Sequence, residues 1–263
     1  MITPFIWMLL ASLQTSTSAM QESIIPSGFR WQNYVEAWGE ANFDIYVLNS
    51  VILAVAHTVG TVIMCSMAGY ALASLPFRGA RITFLLTIAM LSIPTYVVVI
   101  PQFLIVKMIP LAGGNDILGQ GGSGWLDTWW ALIIPPLAAP FFTFLFRQFY
   151  LALPKELAEA ARIDGVGEFG IYLRIMTPLI KPAIAVVAVM QVQWSWNSFL
   201  WPLLVTRSEG LRVIQVGLSS FQSEAGVQWP LLMAGATIAI VPMVLLFLVA
   251  QRYFVEGLAG SVK

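Results

Sequence analysis

The side chains with chemistry to offer gather in two stretches. Residues Leu151 to Pro182 read LALPKELAEAARIDGVGEFGIYLRIMTPLIKP and crowd Lys155, Glu156, Glu159, Arg162, Asp164, Glu168, Arg174 and Lys181 into one loop. The second stretch, MQVQWSWNSFLWPLL from Met190 to Leu204, carries Gln191, Gln193, Trp194, Ser195, Trp196, Asn197 and Ser198 inside an apolar run. Neither stretch holds a catalytic constellation. No paired carboxylates share a span, and His57, the one histidine, cannot complete a Ser–His–Asp set from within an apolar helix. No Walker sequence appears, and the glycines of GGNDILGQGGSG (Gly113 to Gly124) are not followed by the Gly-Lys-Ser/Thr of a phosphate loop. One histidine and one cysteine, Cys65, also exclude a metal cluster and an internal disulfide. The chemistry available is docking and polar recognition.

What must position these residues is a membrane-embedded chain. Of 263 residues, 59% are hydrophobic and only 10% charged. Mean hydropathy is +0.82, which places the chain among polytopic membrane proteins. Its net charge of zero gives no electrostatic footprint for nucleic acid. No polar segment is long enough to fold a core alone, so residues 1–263 read as one transmembrane domain. His57 is costly if charged within a span and is expected to be neutral and to face protein.

The polar loop spells a short helix. Pro154 suits the first helical position, Lys155 to Asp164 are mostly good helix formers, and Gly165 can supply the left-handed turn that ends it. Leu157, Ala160, Ala161 and Asp164 fall at i, i+3, i+4 and i+7, a stripe small enough for another protein's backbone to come close. A second short helix follows from Val166, and Pro178 and Pro182 mark the return to the membrane.

EAARIDG at Glu159 to Gly165, then nine residues, then Ile175, Met176, Thr177 and Pro178, resembles the EAA signature of ABC importer permeases. Thr177 stands where that pattern has Leu. The flanking LPKELAEAARIDG and the later WNSFLWPLL narrow the resemblance to the carbohydrate-type permeases, like the smaller permease of maltose-type importers. It extends from Phe5 to Lys263. The resemblance implies an all-α, polytopic helix bundle of about six transmembrane helices, the type I importer permease fold. It also implies that residues 151–182 form a coupling loop seated in a cleft of a separate ATPase. Glu159, Ala160, Ala161, Arg162, Asp164, Gly165, Ile175 and Pro178 carry that role by their match to the motif.

In chain order, Ile2 to Leu13 reads as the outer end of a first membrane helix. At about 18 Å it is short against a hydrocarbon core of about 30 Å. The resemblance implies a longer apolar stretch and a cytoplasmic tail before it; no basic n-region supports a signal peptide. Gln14 to Asp44 is an outer segment whose Trp31, Tyr34 and Trp38, with Tyr46 just beyond, suit the membrane boundary. Further spans are expected at Ile45–Leu75, Ile82–Val106 (interrupted by Pro94 and Pro101), Trp129–Tyr150, Ala183–Val205 and Leu231–Arg252. The Gly113–Gly124 segment reads as a flexible outer insertion.

Charge sets the orientation. Arg78, Arg81, Arg147, Lys155, Arg162, Arg174, Lys181, Arg252 and Lys263 fall on one side of this arrangement, and Arg30, Lys107, Arg207 and Arg212 on the other. The basic excess marks the first side, and the EAA loop with it, as cytoplasmic. The chain is then a multi-pass protein of a bacterial or archaeal plasma membrane.

The polar run supports two readings. Amides are expensive in lipid, so Gln191, Gln193, Trp194, Asn197 and Ser198 should face protein or a water-filled path. Trp faces with amides suit a sugar; interhelical hydrogen bonds between two permeases explain the same residues. The resemblance implies a non-enzymatic permease subunit that takes up a carbohydrate by alternating access, with ATP and Mg bound only on partners and no cofactor of its own. Its partners would be a second, different permease, two ATPase subunits, an extracytoplasmic binding protein and membrane lipid. Rivals are import of another polar solute, such as a sugar phosphate or osmolyte, and a membrane scaffold without a transport path.

Overall fold

The computed structural model describes residues 2–16, 25–26, 28–40, 42–223 and 226–259, with the side chains of residues 40, 223 and 252–259 excepted. The chain is helical nearly throughout. Its helices are α1 (Thr3–Ser12), α2 (Gln32–Glu40), α3 (Phe43–Ser74), α4 (Ala80–Leu91), α5 (Thr95–Lys107), α6 (Trp129–Ile133), α7 (Pro140–Leu151) and α8 (Lys155–Ile163). They continue as α9 (Glu168–Leu179), α10 (Lys181–Trp196), α11 (Leu200–Val205), α12 (Ile214–Ser219) and α13 (Trp229–Ala259). The one strand pair among the described residues, Gln222–Ser223 with Gly226–Val227, is antiparallel.

Helices α3 and α13 are each long and apolar enough to cross a bilayer alone. Three further apolar segments are helix pairs bent at a break, each counting as one span only if its two halves are taken together: α4 with α5 at 110°, Trp129–Leu137 with α7 at 44°, and α9 with α10 at 82°. With the short α1 these give the six apolar segments of the expected bundle. Two expected spans differ in detail. The 82–106 span is not a kinked rod but two helices folded sharply at Ser92–Pro94, because Pro94 has no N–H to continue the ladder. The 183–205 span ends at Trp196, and α11 starts only after the break at Asn197–Phe199.

The chain divides into two compact units. One comprises the described residues of Met1–Leu53, Leu126–Trp129 and Ser195–Val249. Its core is built on Phe43, Tyr46, Trp196, Ile214 and Phe221. Tyr46 is therefore a core residue and not a boundary aromatic, whereas Trp31 and Trp38 are exposed. Asn33 on α2 donates to the carbonyls of Ser12 and Gln14 at 2.8 Å, holding α2 to the end of α1. Asp127 accepts from the N–H groups of Arg207 and Ser208 and from the Ser208 hydroxyl at 2.8–2.9 Å. Partial burial pushes its carboxyl up, but these bonds outweigh it and hold the group below the usual carboxylate range.

The other unit comprises Ala54–Trp125, Trp130–Trp194 and the described residues beyond Ala250. Its core runs from Cys65 and Tyr70 on α3 through Phe142, Phe146 and Tyr150 on α7 to Ile171, Tyr172 and Met176 on α9. Helices α3 and α7 meet at Gly69. A Cβ there would lie 2.7 Å from Phe146 Cβ and 2.9 Å from the Arg147 backbone nitrogen. Two prolines in this unit free carbonyls that neighbouring side chains take up. Pro136 leaves the Leu132 carbonyl without its helical donor, and His57 Nε2–H supplies one at 3.1 Å. Pro76 does the same to Leu72, whose carbonyl accepts from Arg147 Nε at 3.2 Å. The Arg147 guanidinium also lies 3.7 Å above the Phe84 ring, which ties α4 to α7. His57 faces protein as expected.

The Gly113–Gly124 segment is ordered by hydrogen bonds. Asn115 donates to the carbonyls of Lys107 and Ile109 and accepts from Gly122 N–H, while Asp116 accepts from the N–H groups of Leu118 and Gln120. Its glycines serve positive φ and close backbone approach: Gly119 sits at φ +77°, with the Met108 carbonyl where a Cβ would be. The expectation of flexibility from glycine content is corrected on that ground.

The two tight glycines of α3 should respond differently. At Gly69 the obstacle is backbone, so Gly69→Val should cost on the order of 1–3 kcal/mol. It should lower the thermal midpoint of the detergent-extracted protein. At Gly60 a Cβ meets only the end of the Leu137 side chain, so Gly60→Ala should leave that midpoint near wild type.

Candidate functional site

The loop between α7 and α10 is a pair of short helices with a well-defined corner. Pro154 stands one position earlier than expected, as the residue before α8, with ψ 128°. The C-terminus of α8 is closed by two bonds, Val166 N–H to the Ala161 carbonyl and Gly165 N–H to the Arg162 carbonyl, each 3.0 Å. This pairing, with Gly165 at φ +79°, is the Schellman arrangement that glycine favours. The next helix begins at Glu168, two residues later than expected.

The corner decides which residues face outward. Ala158 and Ala161 turn into the unit's own core, Ala161 being 5% exposed. The stripe drawn from spacing alone put Ala161 on the docking face. Its small side chain instead lets α8 seat closely on its own chain. Glu156, Leu157, Glu159, Ala160, Asp164 and Gly165 are exposed, and Ile163 is 86% exposed at the tip. Phe169 and Leu173 extend this apolar rim along α9. Of the later motif positions, Ile175 is half-buried and Pro178 exposed. Sequence reasoning missed Ile163 as the exposed tip of the loop. The signal was present, an isoleucine next to a left-handed glycine in a polar loop, but it reads as a core residue until the corner's direction is known.

Arg162 does not project freely. Its Nε donates to Glu168 Oε1 at 2.6 Å and its Nη2 to Oε2 at 3.2 Å. The Tyr70 hydroxyl donates to Oε2 at 3.0 Å. Hydrogen bonding from Arg162 holds the Glu168 carboxyl below the usual carboxylate range against some desolvation. A depressed carboxylate contributes stability that is fully present above the ordinary Glu value of about 4.3 and is lost as pH falls through the lowered folded value.

The polar run of α10 splits between two faces. Gln191 lies on the inward stripe with Ala183, Val187 and Ser195, four residues apart each time, and is 4% exposed. Gln193, Trp194 and Asn197 are exposed and Ser198 half-buried. Trp194 packs against Phe142 and Phe141 with ring centroids 4.9 and 5.8 Å away. Asn197 Oδ1 accepts from Gln215 Nε2 at 3.5 Å. Gln191, Gln193 and Trp194 belong to one compact unit, Asn197 and Ser198 to the other. No group of three or more His, Cys, Asp or Glu that could hold a metal occurs among the described residues.

Comparison with known proteins gives this geometry a family. The model of the binding-protein-dependent transport system inner membrane component matches residues 65–260. The chain is 37% identical over 268 residues to the arabinooligosaccharides transport system permease protein AraQ of Halalkalibacterium halodurans, covering 100% of this chain and 91% of that one. It is 33% identical over 249 residues to the sn-glycerol-3-phosphate transport system permease protein UgpE of Yersinia pestis, covering 92% and 84%. A solved bacterial ABC transporter involved in import of the acidic polysaccharide alginate shares the fold, with TM-score 0.79 at 21% identity over 96% of this chain and 90% of that one. A family match over most of the length, on a bundle of broken apolar spans with a structured polar loop, makes this chain a member of the binding-protein-dependent transport inner membrane component family, a permease subunit of an ABC transporter.

Proposed function

We propose that this permease takes up a carbohydrate, with residues 151–182 coupling its movement to a separate ATPase. The observation that carries the coupling is the outward face of α8. A rigidly capped helix presents Glu159, Ala160 and the bare Ile163 side chain from a loop flanked by membrane segments. A solvated loop gains nothing by displaying an isoleucine at 86% exposure, whereas a partner's cleft would cover it. Glu159 and Asp164 supply polar groups around that contact, Arg162 is held by Glu168 and braces the corner, and Gly165 sets its direction. Ala161 and the half-buried Ile175 act from behind by seating the loop, and the exposed Pro178 marks its return to the membrane.

The loop then belongs in the cytoplasm, in keeping with the basic excess on its side of the chain. The side chain of Arg252 and the whole of Lys263, both counted in that excess, lie outside the described residues. ATP and Mg would bind on two partner ATPase subunits, and a second permease and an extracytoplasmic binding protein would complete the importer. The carbohydrate reading draws on the likeness to the arabinooligosaccharide permease and on the outward Trp194 with its neighbouring amides. The likeness to the glycerol-phosphate permease supports a second reading, a phosphorylated polar solute. Direct binding of arabinooligosaccharides and of glycerol 3-phosphate to the partner binding protein separates the two.

Docking has a specific test. A buried aliphatic contact contributes about 1.5–3 kcal/mol. Ile163→Asp should therefore lower the amount of ATPase co-purified with the permease about tenfold. Glu159→Lys should act in the same direction, and both variants should insert normally because the loop is aqueous. Unchanged ATPase recovery and hydrolysis in both variants would remove the coupling assignment.

The path reading is tested separately at two exposed residues of the polar run. Trp194→Ala and Asn197→Ala should reduce uptake of the bound solute while the whole complex is recovered in normal amount. Gln191→Leu, on the inward face, should affect stability more than transport. Loss of the second permease from the Trp194 and Asn197 variants would instead assign these residues to the permease–permease contact.

A further inference from the structure

The bonds between the coupling loop and α3 form a row. Ser66, Tyr70 and Ser74 are spaced four residues apart, so they lie along one stripe of α3. Each bonds to the loop. The Ser66 and Tyr172 hydroxyls are 2.6 Å apart, the Tyr70 hydroxyl donates to Glu168 at 3.0 Å, and Arg162 Nη2 reaches the Ser74 carbonyl at 3.5 Å. Behind the row, the Tyr70 ring packs edge-on to Tyr150 and tilted to Tyr172, with centroids 5.4 Å away in both cases. Arg162 lies on α8 and Glu168 starts α9, so their two-pronged pair fixes the angle of the corner. Tyr70 then fixes the corner to α3.

We infer that Arg162, Glu168 and Tyr70 form a clasp that makes the coupling loop and the end of α3 move as one body, so that these three are positioning residues for transport. The inference rests on the docking reading and adds where the motion goes. Stability alone does not account for the arrangement, because an ion pair exposed on both sides contributes little. What a bidentate, charge-assisted pair supplies is a fixed geometry between two planar groups. Tyr70 converts that geometry into a link between elements far apart in sequence. The π-helical turn at Tyr172–Met176 lies next to it, so α9 can absorb distortion beyond the clasp while the clasp itself holds.

The test is a distance measurement in the complex extracted with its co-purifying subunits. Nitroxide labels are placed at Lys155 on α8 and Met67 on α3, in a Cys65→Ser background. Spectra are taken without nucleotide and after trapping with ATP, Mg and vanadate. With the clasp intact, the distance distribution should be narrow and the same in both states. Tyr70→Phe keeps the ring packing and removes only the hydroxyl; Glu168→Gln keeps the shape and removes the charge. Each should widen the nucleotide-free distribution about twofold, since the bonds that fix the geometry are lost, with ATPase recovery at the wild-type level. The exchanged pair Arg162→Glu with Glu168→Arg should be narrower than Arg162→Glu alone. Distributions as narrow as wild type in both single variants, or a wild-type distance that shifts on trapping, would overturn the proposal. Absence of a co-extracted ATPase from the wild-type protein would count against docking instead, and the nucleotide-free widths would still decide the clasp.

Discussion

In hydrocarbon, a backbone carbonyl without a donor costs several kcal/mol, and this chain breaks or bends three of its apolar segments. At two prolines the structure answers that cost with a side chain from a neighbouring helix. Where Pro136 frees the Leu132 carbonyl, a histidine from α3 fills it; where Pro76 frees the Leu72 carbonyl, an arginine from α7 does. Polar side chains that look anomalous in an apolar sequence thus have structural employment. His57 serves a carbonyl freed within a bent segment and Arg147 one at the end of α3, and Gly69 lets α3 and α7 approach closely.

The loop between α7 and α10 is braced from both sides. Helix α3 ends before Pro76, and its final turns offer Ser66, Tyr70 and Ser74 to the loop. On the far side of the loop, the Tyr150 and Thr177 hydroxyls are 3.1 Å apart and join α7 to α9. A helix cap worth about 1 kcal/mol could not by itself hold an exposed segment of nine residues in one direction. Buried Ala158 and Ala161, the tyrosine cluster and the Arg162–Glu168 pair do so together. The exposed tip can then be presented to a partner at little further ordering cost.

Much of this was legible in the residues. Composition and run length set the membrane class, and the Pro154 to Gly165 sequence set a helix with a left-handed stop. The glycine was read correctly because positive φ is a local property. What was not legible depended on direction. Ala160 and Ala161 are identical in type, and only the packing of α8 decides that one faces out and the other in. Arg162 and Glu168 were read as separate charges because the turn between them brings them together only once Gly165 reverses the chain. The same limit applies to Gly113–Gly124. Glycine content alone suggested slack, but Asn115 and Asp116 use the glycines to build an ordered turn. In α10, spacing showed a cluster of amides, yet only the inward stripe through Gln191 separates packing residues from outward ones.

The central claim is that the tip of α8 sits inside a nucleotide-binding partner. A photo-crosslinking amino acid placed at Ile163 in growing cells measures this directly. The account predicts one dominant adduct with a polypeptide that binds ATP, lost when the same probe is moved to buried Ala158. An adduct confined to lipid or to this chain itself, with no ATP-binding polypeptide captured, would contradict it.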